Sequence, residues 1–208
     1  MTHMQTLINH LPEIALAAAL AWGSGLRLYL VLFVSGLAGY AGWLPLPAHL
    51  SLLAHPAVLG ASGLMMLVEF GADKLPWLDS LWDAVHTFIR IPAGAALAAA
   101  VFGADGGAIA AAAAVLGGGI TAGTHFTKAG GRAAINTSPE PFSNWAASLS
   151  EDLLVPSGLW LAVAHPALFL AALAVFALLA ALLVGAIVRG LALLVGRLRS
   201  RVAASGSR

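Results

Sequence analysis

The 208-residue sequence has no cysteine. That absence excludes disulfides, thiolate metal sites and cysteine nucleophiles, and leaves carboxylates, imidazoles, hydroxyls and backbone carbonyls as the available ligands. It also leaves the redox compartment unreadable. Charge is nearly as scarce: Asp, Glu, Lys and Arg make up 9% of the chain, against 60% hydrophobic residues. There is no glycine-rich phosphate loop of Walker or Rossmann spacing and no basic patch interleaved with aromatics, so no nucleic-acid partner is expected. Ser143 and Ser150 lack a histidine and acid at recognisable spacing, so serine-hydrolase chemistry has little support. Met1 to His10 carries no Lys or Arg, and the apolar run after it is interrupted by Gly23-Ser24-Gly25 and Arg27. This fits a cleavable signal peptide badly, and the expectation is a retained first span.

What the chain does have is apolar runs long enough to cross about 30 Å of hydrocarbon, and a mean hydropathy of +0.91. The expected fold class is an all-α polytopic membrane protein, one transmembrane domain over residues 1–208, with an internal repeat and broken or re-entrant helices. The formal net charge of +1 hides an asymmetry, because Arg189, Arg197, Arg199, Arg201 and Arg208 all follow the last apolar run. The positive-inside bias places that basic tail, 197–208, in the cytoplasm after a C-terminal span at 165–196.

Glu13 to Gly42 is long enough for one tilted span, but two glycines and a charge near its middle predict a break. The alternative is a continuous helix with its glycines packed on a neighbour and Arg27 snorkelling. A second run covers Pro56 to Phe70. Leu78 to Ile91 reads as a separate helix, with Pro92 to Phe102 completing its crossing or forming one arm of a re-entrant pair. Gly106 to Thr127 makes the next span, and Lys128 to Pro141 a polar loop. Phe142 to Val155 is a further helix, and Pro156 to Ala164 a short apolar piece. Side by side, 56–104 and 107–164 read as two copies of one unit. Glu69-Phe70, Trp82 and Ile91-Pro92-Ala93-Gly94 in the first answer to His125-Phe126, Trp145 and Val155-Pro156-Ser157-Gly158 in the second. Whether the copies are inverted or parallel is left open by the sequence.

Four of the nine carboxylates, Glu69, Asp73, Asp79 and Asp83, fall in one stretch with Lys74, His86 and Arg90. Ionisable groups at membrane depth cost several kcal/mol each unless paired or watered, so the cluster is the best lead to function. Asp79, Asp83, His86 and Arg90 follow i, i+4, i+7, i+11 spacing and form one helical stripe, opposite Leu81, Val85 and Phe88. Two aspartates one turn apart repel, which calls for a cation between them. A metal or sodium ion, a shared proton, or Arg27, Arg90, Lys128 or Arg132 would serve, and a solvated interfacial face is the bland alternative. In the second copy the stripe positions become approximately Ser143, Ala147, Ser150 and Leu154, nearly without charge. Its polar residues lie instead at Thr121, Thr124, His125, Thr127, Lys128, Arg132 and Asn136, with Glu140, Asn144, Glu151 and Asp152 farther along. His125 could relay protons or bind a ligand, or simply hydrogen-bond to a neighbouring helix.

Glu69-Phe70-Gly71-Ala72-Asp73-Lys74-Leu75-Pro76, Trp82-Asp83, His86-Thr87, Arg90-Ile91-Pro92-Ala93-Gly94, His125-Phe126-Thr127-Lys128 and Ser138-Pro139-Glu140-Pro141-Phe142-Ser143-Asn144-Trp145 together resemble a bacterial multi-spanning family catalogued only as a domain of unknown function. The resemblance runs from the Gly23 to Arg27 turn to about Asp152. It implies an integral membrane protein and brings no substrate or catalytic residue with it. The expected function is a small transporter or channel in the bacterial inner membrane for an ion or small charged solute. The expected pathway residues are Arg27, Glu69, Asp73, Asp79, Asp83, His86, Arg90, His125, Lys128, Arg132 and Asn144. The alternatives are a metal-dependent membrane enzyme acting on a lipid or lipid-linked phosphate, with Asp79, Asp83 and His86 on the metal, or a non-catalytic assembly protein. Membrane lipid is an expected partner, and the glycine-rich spans make a homo-oligomer reasonable. Cofactor and metal are not readable from the sequence.

Overall fold

The computed structural model describes residues 9–103, 107–135 and 142–205. Six α-helices follow in order: α1 (Leu11–Tyr40), α2 (Pro56–Ala72), α3 (Pro76–Val101), α4 (Gly107–Ile135), α5 (Phe142–Ala164) and α6 (Pro166–Ser205). A 3-10 segment, Ala48–Ala54, precedes α2 and is bent against it by 67°. There is no strand among the described residues, and the protein is an all-α polytopic membrane protein. Among the described residues four helices are, by length and composition, long and apolar enough to cross a membrane: α1, most of α3, α4, and α6 as far as Ala186. Several helices open on proline, whose missing N–H costs nothing in the first turn. His55 also caps α2 by accepting the Ala57 amide.

The first run is not one straight crossing. Arg27 has extended backbone angles, φ −146° and ψ 82°, inside α1. A methyl built on Gly23 would lie 2.7 Å from Val31 Cγ2, although residues eight apart on a straight helix are about 12 Å apart along its axis. The helix therefore folds back on itself, with arms over 11–26 and 28–40 and Arg27 at the tip. Gly23 is needed because the second arm packs where its side chain would be. The hairpin is the centre of the fold, and α2, α3, α4 and α5 all pack against it.

Cross-helix contacts fix the directions of the other helices. α3 runs antiparallel to α4, since Gly94 meets Thr121, Arg90 meets His125 and Asp83 meets Lys128. α4 runs alongside the first arm, with Thr121 on Ala21 and Lys128 on Leu26. α5 runs against that arm, with Val155 at Gly23 and Gly158 at Trp22. α2 runs against the second arm, where Gly63 meets Phe33. The turn at Asp73 to Leu75 then sends α3 back. Thus α2 runs with α4 and α3 with α5, so the two copies are parallel, as in repeats related by an axis along the membrane normal.

Several sequence expectations are corrected here. Of the two alternatives for Pro92 to Phe102, completion of the preceding helix is the one found, with Pro92 inside continuous α3, whereas Pro156 to Ala164 is not a separate piece, because Pro156 lies inside continuous α5. Lys128 to Ile135 is helix and not loop. Lys128 and Arg132 continue the buried face of α4 that includes Thr121, Thr124 and His125, so burial in ion pairs holds the last turns helical where polarity suggested a loop. Asn136 and Glu140 lie outside the described residues, as do 206–208 of the expected tail, including Arg208. Residues Met1–Ala172 form one unit and the rest of α6 a second. In the first unit apolar side chains face outward, with Phe88 83% exposed and Leu153 70% exposed. The charged groups face inward, an arrangement that suits lipid as the outer solvent.

A buried ion-pair network at the tip of the hairpin

All eleven residues expected to line a pathway are buried: Arg27, Glu69, Asp73, Asp79, Asp83, His86, Arg90, His125, Lys128, Arg132 and Asn144. Helical spacing puts them there. On α3 the stripe Asp79, Asp83, His86, Arg90 faces inward, and on α4 His125, Lys128 and Arg132 do.

The network has two centres. At the first, Asp73 Oδ2 at the end of α2 is 3.0 Å from Arg27 Nη2, 3.4 Å from Arg132 Nη2 and 3.5 Å from Lys128 Nζ. Glu151 of α5 pairs with the same three cations, at 3.1 Å to Arg132, 3.3 Å to Lys128 and 3.4 Å to Arg27. Arg27 also donates to Ser148 Oγ at 2.7 Å and lies 3.2 Å from Asp152, whose side chain is 25% exposed. Lys128 Nζ donates to the Leu26 carbonyl beside the break in α1. Arg132 donates to the Asn144 side-chain oxygen, and Asn144 Nδ2 donates to the Asp73 carbonyl.

At the second centre, deeper along α3, Arg90 forks between Glu69 at 2.5 Å and Asp83 at 2.7 Å. Lys128, 3.5 Å from Asp83, joins the two centres. Arg90 also donates to His125 Nδ1 at 3.2 Å. A guanidinium cannot accept, so Nδ1 accepts and the ring proton sits on Nε2, which donates to Thr87 Oγ1 at 2.7 Å. Thr87 Oγ1 in turn donates to the Asp83 main-chain carbonyl at 2.9 Å. His86 has the opposite tautomer. Its Nδ1 is 2.8 Å from the Trp82 carbonyl, which can only accept, so Nδ1 donates and Nε2 accepts from the Tyr29 hydroxyl at 3.2 Å. Trp82 stacks on the same ring, with centroids 4.1 Å apart.

Glu69 Oε2, Asp73 Oδ1 and Asp83 Oδ2 are buried and accept no hydrogen bond from the described residues. Among the described residues no three His, Asp or Glu side chains are grouped to hold a metal. Asp79, Asp83 and His86 are therefore not gathered as a metal site, because Asp83 is turned to Arg90 and Lys128 while His86 is turned to Tyr29 and Trp82.

The two ends of the network differ. Below Arg90 the helices close on small residues: Gly94 lies against Thr121, Gly117 against Ala98, and a methyl on Gly25 would be 2.6 Å from the Thr121 carbonyl. Past that seal an apolar cavity of about 390 Å³ opens among Ile14, Ala17, Ala98, Phe102, Leu116 and Ile120. At the other end Asp152 and Lys74 reach partly exposed positions. Lys74, in the turn between α2 and α3, donates to the Phe70 carbonyl at 3.0 Å and lies over the Phe70 ring. Burial pulls its pKa below the ordinary lysine value, against the opposing pull of Asp152 and Asp73.

Sequence reading missed Glu151, Asp152, Ser148, Thr87 and Tyr29 as members of the network. The inward stripe of α5 is Asn144, Ser148, Glu151 and Val155, with the same i, i+4, i+7, i+11 spacing as the α3 stripe. Anchoring the repeat on its prolines had set the register one residue early, at Ser143, Ala147, Ser150 and Leu154, and so lost Glu151. The α2 and α4 faces agree in spacing too: Ser62, Glu69 and Asp73 stand as Thr121, Lys128 and Arg132 do. In this register the two acids of α2, Glu69 and Asp73, correspond to the bases Lys128 and Arg132 of α4, and Glu69 answers to Lys128 and not to His125.

Parallel helix pairs around a re-entrant hairpin, with ion pairs inside and apolar side chains outside, define a small polytopic membrane protein with a charged interior. Residues 14–186 match the family described as Domain of unknown function (DUF4126), and the chain belongs to that family. No curated protein and no solved structure matches it.

Proposed function

We propose that this protein is a small transporter or channel of the bacterial inner membrane for an ion or small charged solute, with the network at the repeat interface as its polar site. One observation carries the reading: both copies and the hairpin tip contribute charges to a single buried network. Retaining so many ionisable groups in a membrane domain is costly, and such groups commonly mark ion or proton pathways. The buried carboxylate oxygens of Glu69, Asp73 and Asp83 that lack a donor among the described residues suit a site that also meets a mobile ion or water. The contrast between a sealed end and an end reached by Asp152 and Lys74 suits access from one side at a time. The arginine-rich end of the sequence supports a cytoplasmic C-terminus. Open space around Gly119, Gly123 and Gly130 of α4 supports close approach of a second copy.

The closed packing of the network favours a second reading, an assembly protein whose ion pairs only specify helix packing. Reconstituted vesicles separate the two. On the transport reading the purified chain conducts protons, sodium, potassium or small anions above protein-free vesicles, and Asp83→Asn lowers that flux. Flux equal to that of protein-free vesicles for all of these, or unchanged in Asp83→Asn, refutes it.

A further inference from the structure

The charge balance of the network points to the ion it handles. Among the described residues from 27 to 152, six carboxylates (Glu69, Asp73, Asp79, Asp83, Glu151, Asp152) face five cations (Arg27, Lys74, Arg90, Lys128, Arg132). With both imidazoles neutral, one negative charge is left over inside a membrane domain. A single proton or monovalent cation restores balance. Glu69, Asp73, Asp83, Glu151 and Asp152 each lie within ion-pair distance of an arginine or lysine, so a proton on any of them would weaken the hold on a buried cation; Asp79 is the sixth acid and competes with the imidazoles for the proton. His125 is barred by geometry, because its Nδ1 faces the Arg90 guanidinium, which only donates.

His86 is different. Its Nδ1 already donates to the Trp82 carbonyl, and its Nε2 faces the Tyr29 hydroxyl, a group that can donate or accept. Both ring nitrogens can therefore carry hydrogen without losing a partner. The charged groups facing the ring are Glu69 from α2 and Asp83 and Arg90 from α3 itself. α1 contributes Tyr29, and α4 brings His125 and Lys128 to the neighbouring centre.

We propose that His86 is the proton-loading site of the network, with Tyr29 as the hydroxyl that turns over on loading. A proton from water adds to Nε2, the imidazole becomes an imidazolium, and the Tyr29 O–H rotates from donating into Nε2 to accepting from it. No bond between heavy atoms forms or breaks. The assignment deepens the transport reading by naming the proton as cargo or coupling ion. Its test reads equilibrium protonation and not flux, so the two can fail separately.

The full-length chain, labelled with ¹⁵N-histidine and held in lipid nanodiscs, is titrated from about pH 8 to about pH 4, the range across which histidine charge states exchange. One buried imidazole is expected to pass from the Nδ1-protonated tautomer to the doubly protonated form. That signal disappears in His86→Gln, persists in His125→Gln and changes its midpoint in Tyr29→Phe. Trp82→Phe removes the stacked indole and shifts the same signal, which identifies it in a folded protein should His86→Gln fail to fold. If both buried imidazoles keep one tautomer throughout, or the titrating signal vanishes in His125→Gln, the proposal is overturned. So does a titration that appears only when sodium is replaced by choline, which would make bound sodium the balancing ion.

Discussion

Arg90→Met tests whether the network holds the fold together. Arg90 is fully buried and forks between Glu69 and Asp83, at 2.5 and 2.7 Å. Methionine keeps the length of the stem and removes the charge, leaving Glu69 with no cation within ion-pair distance among the described residues and Asp83 with Lys128 alone at 3.5 Å. Breaking a buried pair by removing one partner costs about 3–5 kcal/mol, because the remaining charge stays buried and uncompensated. In a chain of this size that corresponds to a melting temperature lower by roughly 6–20 °C. Removing the stranded acid as well recovers part of the loss, so Arg90→Met with Glu69→Gln is expected to be more stable than Arg90→Met alone. The coupling energy is expected to be about 1–3 kcal/mol. Equilibrium unfolding in mixed micelles, followed by tryptophan fluorescence, supplies the four corners of the cycle. A single variant within about 0.5 kcal/mol of the wild type, or an additive cycle, would refute the claim that Arg90 and Glu69 act as a pair.

Two further expectations follow from local geometry. Gly25→Ala forces a methyl against the Thr121 carbonyl and is expected to cost about 1–3 kcal/mol in the same unfolding assay, as overpacking does. Gly119→Ala, with nothing within 4 Å of the new methyl, loses nothing; equal behaviour of the two would contradict the close α1–α4 packing. Lys74 and Lys128 are the two lysines of the chain. A folded-state pKa below the ordinary value means that Lys74 releases its proton at lower pH, so its acylation by an amine reagent should reach half-maximal rate below pH 10.5. Lys128 is held by Asp73, Asp83 and Glu151 and should stay unlabelled until unfolding. Labelling of Lys128 ahead of Lys74, read by mass spectrometry, would contradict the arrangement.

The helices and most of the site were legible because membrane sequences separate polar from apolar residues sharply. The Asp79 stripe could be read from spacing alone, since four ionisable groups at helical intervals stand out in an apolar chain. Glu151 was lost because its three stripe partners, Asn144, Ser148 and Val155, are uncharged, and because proline and tryptophan anchored the repeat in the wrong register. Tyr29 and Thr87 carried no signal, since a lone hydroxyl becomes meaningful only when an imidazole is opposite. Lys128 and Arg132 were identified as site residues but assigned to a loop, because the carboxylates that make their burial tolerable lie on other helices. The break at Arg27 was expected from its glycines. The direction of the fold-back was not, since it depends on Val31 packing over Gly23.

That fold-back imposes an order on biosynthesis. Arg27 sits at the tip of a segment made before its partners, since Asp73, Ser148, Glu151 and Asp152 come from the end of α2 and from α5, which emerge later from the ribosome. Until then its guanidinium must stay near lipid headgroups or be sheltered by the insertion machinery, because an unpaired charge at depth is costly. The hairpin is therefore translated before the helices that neutralise its charge and settles only after them.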